Sequence, residues 1–77
     1  MITVKRIDNI YMYKPDNQYK AGQIKVLDKK AIVILHSEKD TKNAYYGNKV
    51  CYYIENYLYK KYGSIDKFPQ EFTVAWG

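Results

Sequence analysis

The sequence predicts an α+β fold: a small antiparallel or mixed sheet of three to five strands, covered by one helix in the C-terminal half, in the order β(β)-ββ-α-β. Three observations carry this. Alternating β-branched and aromatic residues mark both ends of the chain, a hairpin pattern occupies its middle, and one stretch with helical periodicity runs from a group of capping residues to Gly63. The 77 residues are read as one domain, 1–77. A domain of that length buries only about 60% of the surface its unfolded chain exposes, so its core has to be compact. With hydrophobic residues at 47% of the chain, that core has material.

Ile2 to Tyr13 alternates Ile2 and Val4 with Thr3 and Lys5, then Ile10 and Met12 with Tyr11 and Tyr13. Asp8-Asn9 is a turn signal between the two halves, which reads as a hairpin or as one bulged strand; a helix through Val4, Ile7 and Tyr11 is the competing pattern. Lys14-Pro15-Asp16-Asn17 then breaks the chain, because Pro fixes φ and Asp-Asn favours turns. Gln23 to Leu27 reads as a strand, Asp28-Lys29-Lys30 as a tight turn and Ala31 to His36 as the returning strand. That strand is apolar on both faces, which predicts a central position under the helix. Glu71 to Trp76 alternates Phe72, Val74 and Trp76 against Glu71, Thr73 and Ala75, the pattern of a final strand with its aromatic face inward.

The helix is the informative element. Ser37, Asp40, Thr41 and Asn43 offer caps before it. Gly63 suits a left-handed C-terminal position, and Lys60 and Lys61 suit the negative end of the dipole. Gly47 marks either close packing or a later start with Asn48 as cap. Ala44, Gly47, Cys51, Ile54, Leu58 and Tyr62 form an apolar stripe widened by Val50 and Tyr57. The chain has ten tyrosines against two phenylalanines. Tyr45, Tyr52 and Tyr59 recur every seven residues and are placed at the margin of the stripe, rings on the core edge and hydroxyls in water. Tyr46 and Tyr53 are placed on the opposite face with Lys49, Asn56 and Lys60. Aromatic rings among cations suit a partner interface, so Tyr46, Lys49, Tyr53, Asn56 and Lys60 form the candidate contact set. The same residues suit stacking on single-stranded bases beside phosphates. The bland alternative is a second covering layer that makes these rings core.

Charge and chemistry narrow the classes. The net charge of +5 favours acidic partners. All thirteen basic residues but Arg6 are lysine, which serves phosphate as a point charge and lacks the planar fork that reads guanine edges. One His and one Cys exclude a structural zinc site with four N or S ligands within one copy. Cys51 falls on the apolar stripe, as a structural thiol would, and His36 has no carboxylate to orient it. No acid pair or Gly-rich phosphate loop appears. A lone cysteine and no apolar leader or membrane span predict a cytoplasmic protein without disulfides or cofactors. The expectation is a non-enzymatic regulatory protein acting by macromolecular contact, of the size and simplicity of phage or mobile-element inhibitors of host systems such as anti-CRISPR proteins. Another protein is the expected partner. A nucleic-acid-binding module and a homo-oligomeric structural subunit are the alternatives, and a membrane role is not expected.

Overall fold

Two hairpins supply four of the five strands. The computed structural model describes residues 1–15, 20–40 and 44–75. Strands β1 (Ile2–Ile7) and β2 (Ile10–Lys14) meet across Asp8-Asn9, and β3 (Gly22–Leu27) and β4 (Lys30–Leu35) across Asp28-Lys29. Both central residues of the second turn have positive φ, 49° and 65°, the pairing whose twist matches a two-residue hairpin. Helix α1 covers residues 45–62, and a single 3-10 turn, Ile65–Lys67, leads to β5 (Glu71–Val74). The sheet is antiparallel throughout, in the order β4-β3-β2-β1-β5. The α+β architecture and the element order expected from the sequence are those observed.

Alternation decides which face the helix covers. Ile2, Val4, Tyr11, Tyr13, Ile24, Val26 and Val74 are buried on one side of the sheet against Val50, Cys51, Ile54 and Leu58 of the helix. Thr3, Lys5, Lys25 and Leu27 stand exposed on the other. Gly47 lets the helix approach closely: a Cβ there would meet the Tyr13 hydroxyl and Val33 Cγ2, each at 2.7 Å. Gly63 ends the helix at φ 85°, as the sequence predicts. No helix among the described residues is long and apolar enough to cross a membrane.

Two expectations are corrected. The Ala31–Leu35 run is not central but an edge strand, with Ile32, Ile34 and Leu35 each at least half exposed. A run apolar on both faces reads as doubly covered, yet α1 lies on one side, and a register shift at Gln23/Ile24 disturbs the strand's end. The second concerns the helix, which is α-helical over Tyr45–Tyr53 and Tyr59–Tyr62 but π-helical over Ile54–Leu58. The wider turn sets back everything that follows it. Tyr57, expected in the core, is turned out, and Tyr59 is turned in to meet Phe68 edge-on at 4.9 Å. Thr41, Asn43, Asp16, Asn17 and Trp76, named in the expected caps, break and last strand, lie outside the described residues.

Candidate functional site: a groove between the helix and the β5 edge

The helix N-terminus is fixed from a distance. Ala44, in the N-cap position, is left-handed and supplies no side-chain bond. Asp40 does the capping: its Oδ1 accepts from the N–H of Tyr46 at 2.7 Å and of Gly47 at 3.4 Å. Its Oδ2 accepts from the buried Tyr13 hydroxyl in a short bond, from the Ser37 N–H and from Ser37 Oγ. Burial raises the Asp40 carboxyl, but the bonds from Tyr13, Tyr46 and Ser37 outweigh it and hold the group below the usual carboxylate range. Burial and the same carboxylate push the Tyr13 hydroxyl well above the usual phenol range. Although this Tyr-Asp-Ser cluster mixes acid and hydroxyl groups, its hydrogen bonds close on one another and on the helix start. That arrangement holds structure in place.

Along the far side of the helix, a groove of about 930 Å³ opens between the helix and the end of β5. Its helix wall carries Tyr45, Lys49, Tyr52, Tyr53, Asn56 and Lys60, and its floor is closed by Val74 and Ala75. Tyr52 is 70% exposed, and Tyr45 and Tyr57 are about half exposed at 46% and 47%. Lys49 Nζ lies 5.3 Å from the Tyr45 ring centroid and Lys61 Nζ 5.7 Å from that of Tyr57. Stacked rings back the groove: Tyr53 lies on Tyr57 at 4.8 Å and on Phe72 at 5.5 Å, and Phe72 reaches the buried Tyr11. Burial lifts the Tyr53 hydroxyl above its ordinary range, so its ring belongs partly to the core. No Asp or Glu lines the groove among the described residues.

The structure brings together four of the five sequence-predicted contact residues: Lys49, Tyr53, Asn56 and Lys60 all line the groove. Tyr46 does not. It is partly buried against the core, and its ring meets Tyr45 edge-on at 5.1 Å. Tyr53 is likewise half-buried rather than opposite the core. The angles explain both: at roughly 100° per residue, Tyr46 and Tyr53 stand about 80–100° from Ile54, whereas Tyr45 and Tyr52 stand about 160–180° away. The most exposed rings of the groove are therefore those the sequence places at the margin, and helical angle alone identifies Tyr45 and Tyr52. Tyr57 carries no such signal, because the π-helical turn is not legible in the sequence.

Elsewhere the chemistry is structural. Cys51 is buried, and burial followed by the nearby Glu55 pushes its thiol up to about 11. Arg6 does not serve the groove; its guanidinium donates to the carbonyls of Asp8 and Ile65 and holds the 3-10 turn against β1. No cluster of three metal-ligating side chains occurs among the described residues. Comparison of the chain with protein-family models, curated proteins and solved structures gives no match.

Proposed function

We propose that this protein works by binding, and that the groove on the outer side of the helix is where it holds an acidic surface of another protein. One observation carries the reading: exposed tyrosine rings, two asparagines and Lys49 and Lys60 share a concave surface that no carboxylate of the described residues lines. Tyrosine gives large contact area at low cost in side-chain entropy, and lysines at the rim select negative partners and speed encounter. A protein that occludes a partner in this way suits an inhibitory role, of the phage or mobile-element kind that its size and charge suggest.

Site-specific photo-crosslinking in host extract tests it. A photoreactive residue at Tyr52 is expected to give a discrete adduct that the same residue at Lys29, on the β3–β4 turn, does not give. The adduct should disappear when Lys49 and Lys60 are both changed to Glu. Equal adducts from the two positions, or adducts indifferent to the charge reversal, would remove the groove from the account.

A second reading is favoured by the same absence of carboxylates: a single-stranded nucleic acid with a base on Tyr52 and phosphates at the lysines. It ranks lower because the one arginine is engaged elsewhere. It requires that oligonucleotide affinity fall steeply between two salt concentrations.

A further inference from the structure

The groove ends on Val74 and Ala75, and the outer edge of β5 that leads to them carries backbone groups for pairing. Residues in an antiparallel pair alternate between exchanging hydrogen bonds with the partner strand and pointing away from it. The Arg6 N–H donates to the Gln70 carbonyl at 2.8 Å, which makes that pair a bonded one and fixes the parity of β5. Val4 with Phe72 and Ile2 with Val74 are then the next bonded pairs, and the backbone groups of Glu71 and Thr73 point outward from the sheet. The strand is short, but among the described residues no side chain hydrogen-bonds to those outward groups and no proline interrupts it. At the other end of the sheet the parity leaves Ala31 outward, and there a carboxylate has been supplied: Glu55 Oε2 accepts from the Ala31 N–H at 2.6 Å.

We propose that the groove receives an extended acidic segment of a partner protein as a sixth strand, paired antiparallel or parallel on the free edge of β5. The proposal rests on the reading that this face is the contact site, and adds how the site is used. A strand laid beside Glu71 and Thr73 continues the sheet, and every second side chain then points to the helix side, beyond Phe72 and Val74. That is where the groove lies, with Tyr53 and Tyr57 at its back. Lys49 and Lys60 are eleven positions apart on the helix wall, about 16–17 Å at the usual rise. Two groove-facing side chains four residues apart on a strand are separated by about 13 Å, a match once the lysine side chains flex. Carboxylates at those two positions with a small apolar residue between them fit both lysines and the aromatic back wall. Glu71 does not oppose such a ligand, because its side chain is on the open face of the sheet and is paired with Lys5 at 3.4 Å. A second copy of this chain is the poorer occupant: the protein carries a net charge of +5 and the groove wall carries lysines, so self-association sets like charges together.

The test uses the intact protein and a fluorescein-labelled heptapeptide, Thr-Glu-Thr-Val-Thr-Glu-Thr, against the same peptide with Lys for Glu and against a ten-residue oligothymidylate. The acidic peptide is expected to bind at least tenfold more tightly than either control and to slow hydrogen exchange at the Glu71 and Thr73 amides. Binding should weaken at least tenfold with Lys49→Glu plus Lys60→Glu, and again with Thr73→Pro, which removes one outward N–H. Because a proline can perturb the strand, an N-methylated acidic peptide, which cannot pair its backbone, provides the same test with the protein unchanged and should lose affinity likewise. No binding of the acidic peptide, or a preference for the oligothymidylate, overturns the proposal. Acidic-peptide binding with the Glu71 and Thr73 amides unaffected overturns strand addition but leaves the groove as a contact site. Dimerisation through β5, seen by sedimentation and abolished by Thr73→Pro, overturns the choice of occupant.

Discussion

On the β4 side of the helix, Gly47 rests against Val33, the Glu55 carboxylate takes the outward N–H of Ala31, and Asp40 holds the first turn. On the β5 side, the outward groups of Glu71 and Thr73 lie on the sheet edge, next in the chain to Val74 and Ala75, where a groove walled by tyrosines and lysines ends. One flank is packed, with its outward Ala31 N–H bonded to Glu55, and the other is left with room and, among the described residues, no acceptor for its outward N–H groups. Edge strands invite pairing, and proteins usually cover or charge them. A single carboxylate guards β4 here, although that strand exposes more apolar side chain than β5. The difference separates two features an edge can offer: β4 exposes hydrophobic area, whereas β5 offers outward backbone beside positive charge, and the proposed contact rests on the second.

Substitutions on the two flanks should separate accordingly. Asp40→Ala removes the helix cap, worth about 1 kcal/mol, and deprives the buried Tyr13 hydroxyl of its acceptor, worth about 1–3 kcal/mol. It is expected to give the largest loss, about 2 kcal/mol or more in urea unfolding. The same carboxyl sets an acid limit. Its folded pKa lies below the ordinary Asp value of 3.8, so its contribution to stability is complete above that pH and is lost as pH falls through the folded value. The Asp40→Ala variant should therefore lose less stability than the parent between neutral pH and pH 3. Gly47→Ala forces a methyl group against Val33 and the Tyr13 hydroxyl, and overpacking of this kind costs about 1–3 kcal/mol. Glu55→Ala leaves the Ala31 N–H without its acceptor, at about 1 kcal/mol. It should also increase self-association through β4, measurable by sedimentation. Tyr52→Ala, on the open flank, should change stability by no more than about 0.5 kcal/mol while weakening binding of the acidic heptapeptide at the groove. A large stability loss for Tyr52→Ala would mean that the open flank is core after all.

The packed half of the molecule was readable from residue order. Alternation in Ile2–Val4, Tyr11–Tyr13 and Ile24–Val26 marks the covered face, Asp28-Lys29 marks the hairpin turn, and the stripe from Gly47 to Leu58 with Gly63 marks the helix and its end. Asp40 was legible as a cap, though not as one that reaches the helix from outside it. The position of β4 was not, because an apolar strand looks the same whether a second layer covers it or solvent does. The candidate site was legible in four of its residues, and Tyr46 was misplaced by an error of helical angle that the sequence itself could have corrected. Tyr57 could not be placed, since no residue pattern marks the π-helical turn that swings it outward. The outer edge of β5 was equally hidden: which strand lies at the free edge, and which of its amides point outward, are matters of topology.

Native-state amide hydrogen exchange in the free protein measures the contrast between the flanks directly. The Ala31 amide, held by Glu55, should exchange slowly, and the Thr73 amide, on the outer edge of β5 with no acceptor among the described residues, should exchange at least tenfold faster at the same pH and temperature. Thr73 exchanging as slowly as Ala31 would show that the β5 edge is already occupied or covered, and would contradict the assignment of the open flank as the site of contact.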